Sequence, residues 1–284
     1  MRLRKEQRGA CPVCGYAGAY VETSGKNGRR IGWCASCQDR EAIAAHLRGA
    51  GGSIPRAAGA DTRHAAKTLE ARQKAQERAG VIWSGAAPVT ADDPAGRYLA
   101  RRTLGHLAGN PALRYRADVP HPAGGRYPGL VALVQDVAGQ PLGAHRTYLA
   151  TDGCKAAVEP VKASLGPIWG GAIRLQPAAP EIVIGEGVET AASAGLLLGL
   201  PAWAAISAGN LAKGLALPHN VRSVVIAADD DGTNAHGRNP GLEAAESAWR
   251  RWRAEGRAVR IIKPDAPRVD FNDLLTASTE NGAA

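Results

Sequence analysis

No run of about twenty apolar residues occurs in the 284-residue sequence, and no apolar segment follows its basic start. Neither a membrane span nor a secretory signal is supported, so the chain is expected to be cytoplasmic and without a membrane partner. No Gly-x-x-x-x-Gly-Lys-Ser/Thr stretch is present either, which argues against a phosphate-binding loop of the P-loop type. Cysteine is scarce, with five in all. Acid is scarce at one end: residues 1 to 80 carry 15 Lys and Arg against 7 Asp and Glu, whereas residues 81 to 284 carry 20 against 19. Nearly all of the formal charge of +9 therefore lies in the N-terminal part, as in a nucleic-acid-binding arm or a charged linker.

Four of the five cysteines form two pairs, Cys11-Pro-Val-Cys14 and, after nineteen residues, Cys34-Ala-Ser-Cys37. Each pair makes a tight turn presenting two thiolates, and two such turns supply the tetrahedral set that Zn²⁺ takes. Disulfides are disfavoured in a cytosolic chain. His46 is not needed as a ligand beside four thiolates, and Cys154 has no role beyond a free thiol. Between the pairs, Tyr20-Val-Glu-Thr, a turn at Gly25-Lys26-Asn27-Gly28 and Arg29-Arg30-Ile31-Gly32-Trp33 read as a hairpin. Lys26, Arg29, Arg30 and Trp33 suit single-stranded DNA, with cations on phosphates and rings on bases. Tyr20 and Trp33 equally suit the small core of a zinc ribbon.

Residues 49 to 63, rich in Gly, Ala and Arg without periodicity, read as a linker. From 64 to 78 charges alternate in sign along Ala-rich sequence, which predicts an exposed spacer helix. A new unit opens near Val81-Ile-Trp83, and Asp93-Pro94 carries the signature of a helix start.

The richest stretch lies further on. Glu181-Ile-Val-Ile-Gly-Glu186-Gly187 and Val224-Val-Ile-Ala-Ala-Asp229-Asp230-Asp231-Gly232 both read as short buried strands ending in acid. A helix over 189 to 198, a strand over 202 to 206 and a helix over 211 to 217 fall between them, a βαβαβ order. A further helix over 242 to 254, with Trp249 and Trp252 as packing residues, leads to a strand over 258 to 262. In open parallel sheets ligands sit beyond the carboxyl ends of the strands, which is where Glu186, Asp229 and Asp231 fall. Carboxylates so grouped suit a hard cation such as Mg²⁺, and Gly187 permits close backbone approach. Taken alone, the Asp-Asp-Asp-Gly run is equally a solvated turn.

A strand-final Glu-Gly followed by a strand-final Asp-x-Asp resembles the Toprim family, the catalytic module of bacterial-type primases, topoisomerases and some nucleases. Asp270-Phe-Asn272-Asp273 resembles the third acidic element of its primase members. Upstream, Leu130 to Asp136, a turn at 138 to 140, a strand bearing Arg146, then Pro160-Val-Lys162 and Leu165-Gly166 are similar in order to the basic subdomain of bacterial replicative primases. The Pro160-Val-Lys162 spacing departs from the adjacent Pro-Lys of those enzymes. Arg146 can also be read simply as a polar residue on the open face of a hairpin.

The resemblance implies an α/β protein: a zinc ribbon over 1 to 48, a linker with a charged helix over 49 to 80, a mixed α+β basic subdomain over 81 to 178, a Rossmann-like Toprim domain over 179 to 277 with a central parallel sheet, and a tail over 278 to 284. It implies a primase of a phage or plasmid, without a helicase module of its own and served by a separate replicative helicase. Ribonucleoside triphosphates would be joined on single-stranded DNA by attack of a 3'-hydroxyl on an α-phosphate. Glu186, Asp229 and Asp231 would hold Mg²⁺ or Mn²⁺, Asp270 and Asp273 would act as outer or second-metal ligands, and Arg146 and Lys162 would neutralise triphosphate or template phosphate. Glu189 would support this site or merely favour its helix N-terminus. The alternatives are a Toprim nuclease using the same acids and a non-catalytic zinc-ribbon accessory of a replication complex.

Overall fold

The computed structural model describes residues 7–9, 11–13, 20–24, 30–34, 40–49, 61–230, 232, 239–266 and 269–282. The expected ligands Cys14, Cys37 and Asp231, and the basic residues Lys26 and Arg29, lie outside them.

At the N-terminus β1 (Gln7–Gly9), β2 (Tyr20–Ser24) and β3 (Arg30–Cys34) form an antiparallel sheet, followed by α1 (Arg40–Gly49). The hairpin expected between the cysteine pairs is thus β2 and β3, with Tyr20 opposite Cys34. Helix α2 (Asp61–Ser84) is longer than the predicted spacer and is not wholly exposed. Its last turns bury Ala79 and Ile82 against Val131, Ala144 and Tyr148, and Gln76 Nε2 donates to the Pro141 carbonyl at 2.7 Å. It therefore crosses the expected boundary at residue 80.

A second, five-stranded antiparallel sheet comprises β4 (Ala87–Pro88), β5 (Leu113–Pro120), β6 (Arg126–Gln135), β7 (Pro141–Tyr148) and β8 (Lys162–Leu165) in sequential order. Helix α3 (Pro94–Ala100) sits between β4 and β5, and its start matches the sequence signature: Asp93 accepts from Gly96 N at 2.8 Å and Pro94 opens the first turn, where its missing N–H costs nothing.

The C-terminal half is built on β9 (Ile173–Arg174), β10 (Glu181–Gly185), β11 (Ala202–Ala204), β12 (Ser223–Ala227) and β13 (Ala258–Ile262), with helices α4 (Val188–Leu198), α5 (Pro240–Ala254) and α6 (Phe271–Gly282). The strand order is β13-β12-β10-β11-β9, and only β9 runs antiparallel to its neighbour. The expected helix over 211 to 217 is a short π-helix, Asn210–Gly214. Alternation along β10 and β12 explains their continuous apolar sequences. Ile182, Ile184, Val224 and Ile226 pack with Ala245, Ala248 and Trp252 of α5, while Val183 and Val225 pack with Ala191 and Ala194 of α4 and Phe271 of α6. A strand covered on both faces has no polar side to show. The layer holding Val183 continues into Leu113, Leu130 and Val134, so the two five-stranded sheets share one core. Among the described residues no helix is long and apolar enough to cross a membrane.

Candidate active site

Strands β10 and β12 pair in parallel with Gly185 opposite Ala227, so both chains leave the sheet at its carboxyl edge, Glu186 one residue and Asp229 two residues beyond that pair. Helix α4 begins at once after Gly187 and turns Thr190 toward the neighbouring strand, where its Oγ1 donates to Asp229 Oδ1 at 2.8 Å. Asp230 points elsewhere: it accepts from Asn239 Nδ2 at 2.7 Å and pairs with Lys263 Nζ at 3.1 Å, which fastens the start of α5 and the end of β13. That split between consecutive aspartates is what the alternation of extended backbone requires. Beside Glu186, the end of β11 is strained. Ile206 has φ +76, a value that a β-branched residue rarely adopts, and its N–H donates to the Glu186 carbonyl at 2.7 Å. Among the described residues no three His, Cys, Asp or Glu side chains gather into a metal site, Asp231 being outside them.

A cationic cluster adjoins this edge. Lys162 Nζ lies 2.9 Å from both Glu189 oxygens, with side-chain exposures of 31% and 15%. Tyr98 of α3 donates its hydroxyl to Glu189 as well, and the Arg102 guanidinium lies over the Tyr98 ring at 4.3 Å. Burial alone would raise the Glu189 carboxyl, but the Lys162 ammonium and the hydrogen bonds from Tyr98 and Lys162 prevail and hold it below the usual carboxylate range. His145, hydrogen-bonded through Nδ1 to Ser164 Oγ at 2.9 Å, is pushed down to about 4 by burial and by Lys162. Lys155 lies within electrostatic reach of Lys162, Glu189, Arg102 and Asp270. Nothing local in the sequence distinguishes Tyr98 or His145; pairing of β7 with β8 and docking of α3 bring them to Glu189.

Arg146 departs from expectation. It is only 5% exposed, and its guanidinium donates to the carbonyls of Pro120 (3.0 Å), Ala163 (3.2 Å) and Ser164 (3.3 Å). It braces β7, β8 and the end of β5 from inside rather than presenting charge to a phosphate. Asp270 and Asp273 likewise serve the fold. Each accepts the other's backbone N–H through one carboxylate oxygen, at 2.8 and 3.0 Å, a reciprocal cap on α6. Asn272 between them ties the Arg102 carbonyl to Ser193 Oγ.

In the N-terminal sheet Cys11 and Cys34 are wholly buried and share a small cluster with Tyr20 and Ile43. Arg30 is engaged by Glu22 in a two-pronged pair, while Trp33 stays 46% exposed. Of the two rings that suit either DNA or a small core, Tyr20 is thus core and Trp33 faces outward.

Residues 181–281 match the Toprim domain family, and residues 73–175 match a domain of unknown function (DUF7146). The DNA primase TraC of Escherichia coli is 38% identical over 108 residues, a region covering 36% of this chain and 7% of that protein, so the chain spans only a small part of this relative's length. Among solved structures, the DnaG primase catalytic domain bound to ssDNA aligns with 76% of this chain and 81% of its own at 15% identity and a TM-score of 0.49. The primase fragment of the bacteriophage T7 primase-helicase protein aligns with 98% of this chain and 97% of its own at 13% identity and a TM-score of 0.43. The strand-end acids Glu186 and Asp229 both fall within residues 181–281, the part of the chain that matches the Toprim domain family.

Proposed function

We propose that this protein is a primase that joins ribonucleotides into short primers on single-stranded DNA, in the replication of a phage or plasmid. The observation that carries the reading is the parallel register of β10 and β12, which sets Glu186 and Asp229 at one sheet edge with the Lys162 cluster beside them. The likeness of part of the chain to a relative named as a DNA primase supports the same reading.

The donor set fits a hard divalent cation: carboxylate oxygens on adjacent strand ends, one of them steadied by Thr190. Glu186, Asp229 and Asp231 would hold Mg²⁺ or Mn²⁺, which when bound supplies Lewis-acid stabilisation of the oxygens that enter and leave phosphorus. Lys162 would meet phosphate charge at the flank of the acids, and Glu189 keeps that ammonium in place. The buried thiols of Cys11 and Cys34, with Cys14 and Cys37, fit a structural Zn²⁺. Above it, Trp33 and the basic hairpin would touch the template.

The deciding experiment measures labelled ribonucleotide incorporation and cleavage of single-stranded DNA side by side, with Mg²⁺ or Mn²⁺, for wild type and Asp229→Asn. Incorporation by the wild type and its loss in a folded Asp229→Asn protein are expected. Cleavage without incorporation would establish a nuclease instead, and incorporation surviving Asp229→Asn would remove the acids from the site.

A further inference from the structure

Trp169, on the loop between β8 and β9, is 42% exposed, yet the backbone around it is riveted. The buried Asn210 side chain accepts from Gly170 N at 2.8 Å through Oδ1. Its Nδ2 donates to the carbonyls of Gly171 and Ala205, both at 2.8 Å. A further bond runs from Ala216 N to the Gly170 carbonyl at 3.1 Å. The loop is thereby stitched to the end of β11, and Ala205 and Ile206 in turn donate to the carbonyls of Gly185 and Glu186, at 2.9 and 2.7 Å. Two links thus connect the peptide beside Trp169 to the peptide of the strand-end glutamate.

The indole itself rests on Gly214. A Cβ at that position would stand 2.8 Å from the Trp169 ring, and closer still to Asn210 Oδ1, so only glycine lets the ring lie there. Gly170, at φ +86, makes the turn that places Trp169 outside it. Because β9 runs antiparallel to β11, with Ile173 opposite Ala204, the residues just ahead of β9 lie at the same carboxyl edge as Glu186. Lys213 is exposed on the turn beneath the ring.

An isolated exposed tryptophan needs no explanation, but one mounted on a buried amide, a glycine seat and a strained strand end is preorganised for contact. We propose that Trp169 is a stacking platform for a nucleobase at the edge of the active site. The inference rests on the primase reading for its choice of ligand. The base can come from the single-stranded template or from the incoming nucleotide, and the same indole face serves either, because every base has a π-face.

The test compares wild type, Trp169→Ala and Trp169→Phe by fluorescence anisotropy with a labelled oligodeoxythymidine and by the apparent KM for ribonucleotide. The substitutions are at an exposed ring, and near-wild-type melting confirms the fold. Stacking on one base corresponds to roughly a five- to hundredfold change in affinity. Trp169→Ala is expected to weaken one arm by that factor, with Trp169→Phe recovering most of it. Loss in the oligonucleotide arm assigns the template, and loss in KM with intact oligonucleotide binding assigns the incoming nucleotide. Unchanged values in both arms overturn the platform even if primers are made. Trp169-dependent oligonucleotide binding by a protein that makes no primers would keep the platform and sink the primase reading, and a wild type that binds neither ligand sinks both.

Discussion

Lys162 of β8 and Glu189 of α4 meet through two 2.9 Å contacts across the seam between the antiparallel sheet and the C-terminal, mainly parallel sheet. The pair joins a residue that the sequence offered as a phosphate ligand to one that it left between a site role and a helix-dipole role. Glu189→Gln removes one charge and leaves Lys162 partly buried without it. A loss of about 1–3 kcal/mol in unfolding free energy is expected. A folded Glu189→Asp protein, with its shorter reach, should recover part of the stability but raise the nucleotide KM, because Lys162 is no longer held by two contacts. Urea titration and steady-state kinetics on the three proteins check this.

The same pair gives a pH signature. A carboxyl held below its unfolded value contributes stability that is fully present above the unfolded pKa, near 4.3, and is lost as pH falls toward the folded one. The stability difference between wild type and Glu189→Gln should be flat from pH 6 to 8 and shrink below about pH 4. A difference that grows on acidification contradicts the ion pair.

His145 acts in a higher window. Its folded value of about 4 lies below the unfolded value near 6.5, so the unfolded chain takes up the proton first. Stability should therefore fall between pH 6.5 and 4, by at most roughly 2–3 kcal/mol, and His145→Gln should flatten that slope. Thermal melts at half-unit pH steps read the effect directly.

Arg146→Ala should destabilise rather than merely weaken substrate binding. Three carbonyls lose a charged donor inside the protein, for which a cost of about 2–4 kcal/mol is expected, seen as a lower denaturation midpoint. At a temperature where the variant remains folded, its nucleotide KM should stay within a few-fold of wild type. A large KM change with unchanged stability would return Arg146 to the phosphate site.

Zinc can be tested at the N-terminus. Among the described residues, two of the four cysteines share a small core with Tyr20 and Ile43, with Val13 and Leu47 packed against it, so the metal should carry most of the folding free energy there. One zinc per chain is expected by elemental analysis, with proteolysis cutting within residues 10 to 40 after chelation or in Cys34→Ser. Protection unchanged by either treatment rules this out.

The C-terminal half was largely legible in the sequence. Its helices and strands show as apolar runs bounded by acid, Gly or Pro, and β13 falls over the stretch read as a strand. Those signals are local: a strand covered on both faces must be apolar throughout, and a helix start must satisfy its own N–H groups. The end of β11 was not legible to the residue, nor were the π type and the bounds of the helix at Asn210–Gly214, because both depend on Asn210 bonding to two chain segments far apart in sequence. Local propensity also could not show that α2 is anchored at one end.

Side-chain chemistry and short-range spacing were enough to supply an inventory: thiol pairs, strand-end acids and basic positions ahead of them. How each member is used depends on the folded arrangement. Arg146 turned inward because three carbonyls needed a donor and the hairpin buried it. Asp230 became a fastening because backbone direction aimed it at Asn239 and Lys263, and Asp270 and Asp273 each give one oxygen to the cap of α6. Lys162, Glu189, Tyr98 and His145 came together from four separate segments, and a contact between residues so distant exists only after the chain has folded and water has been displaced around it.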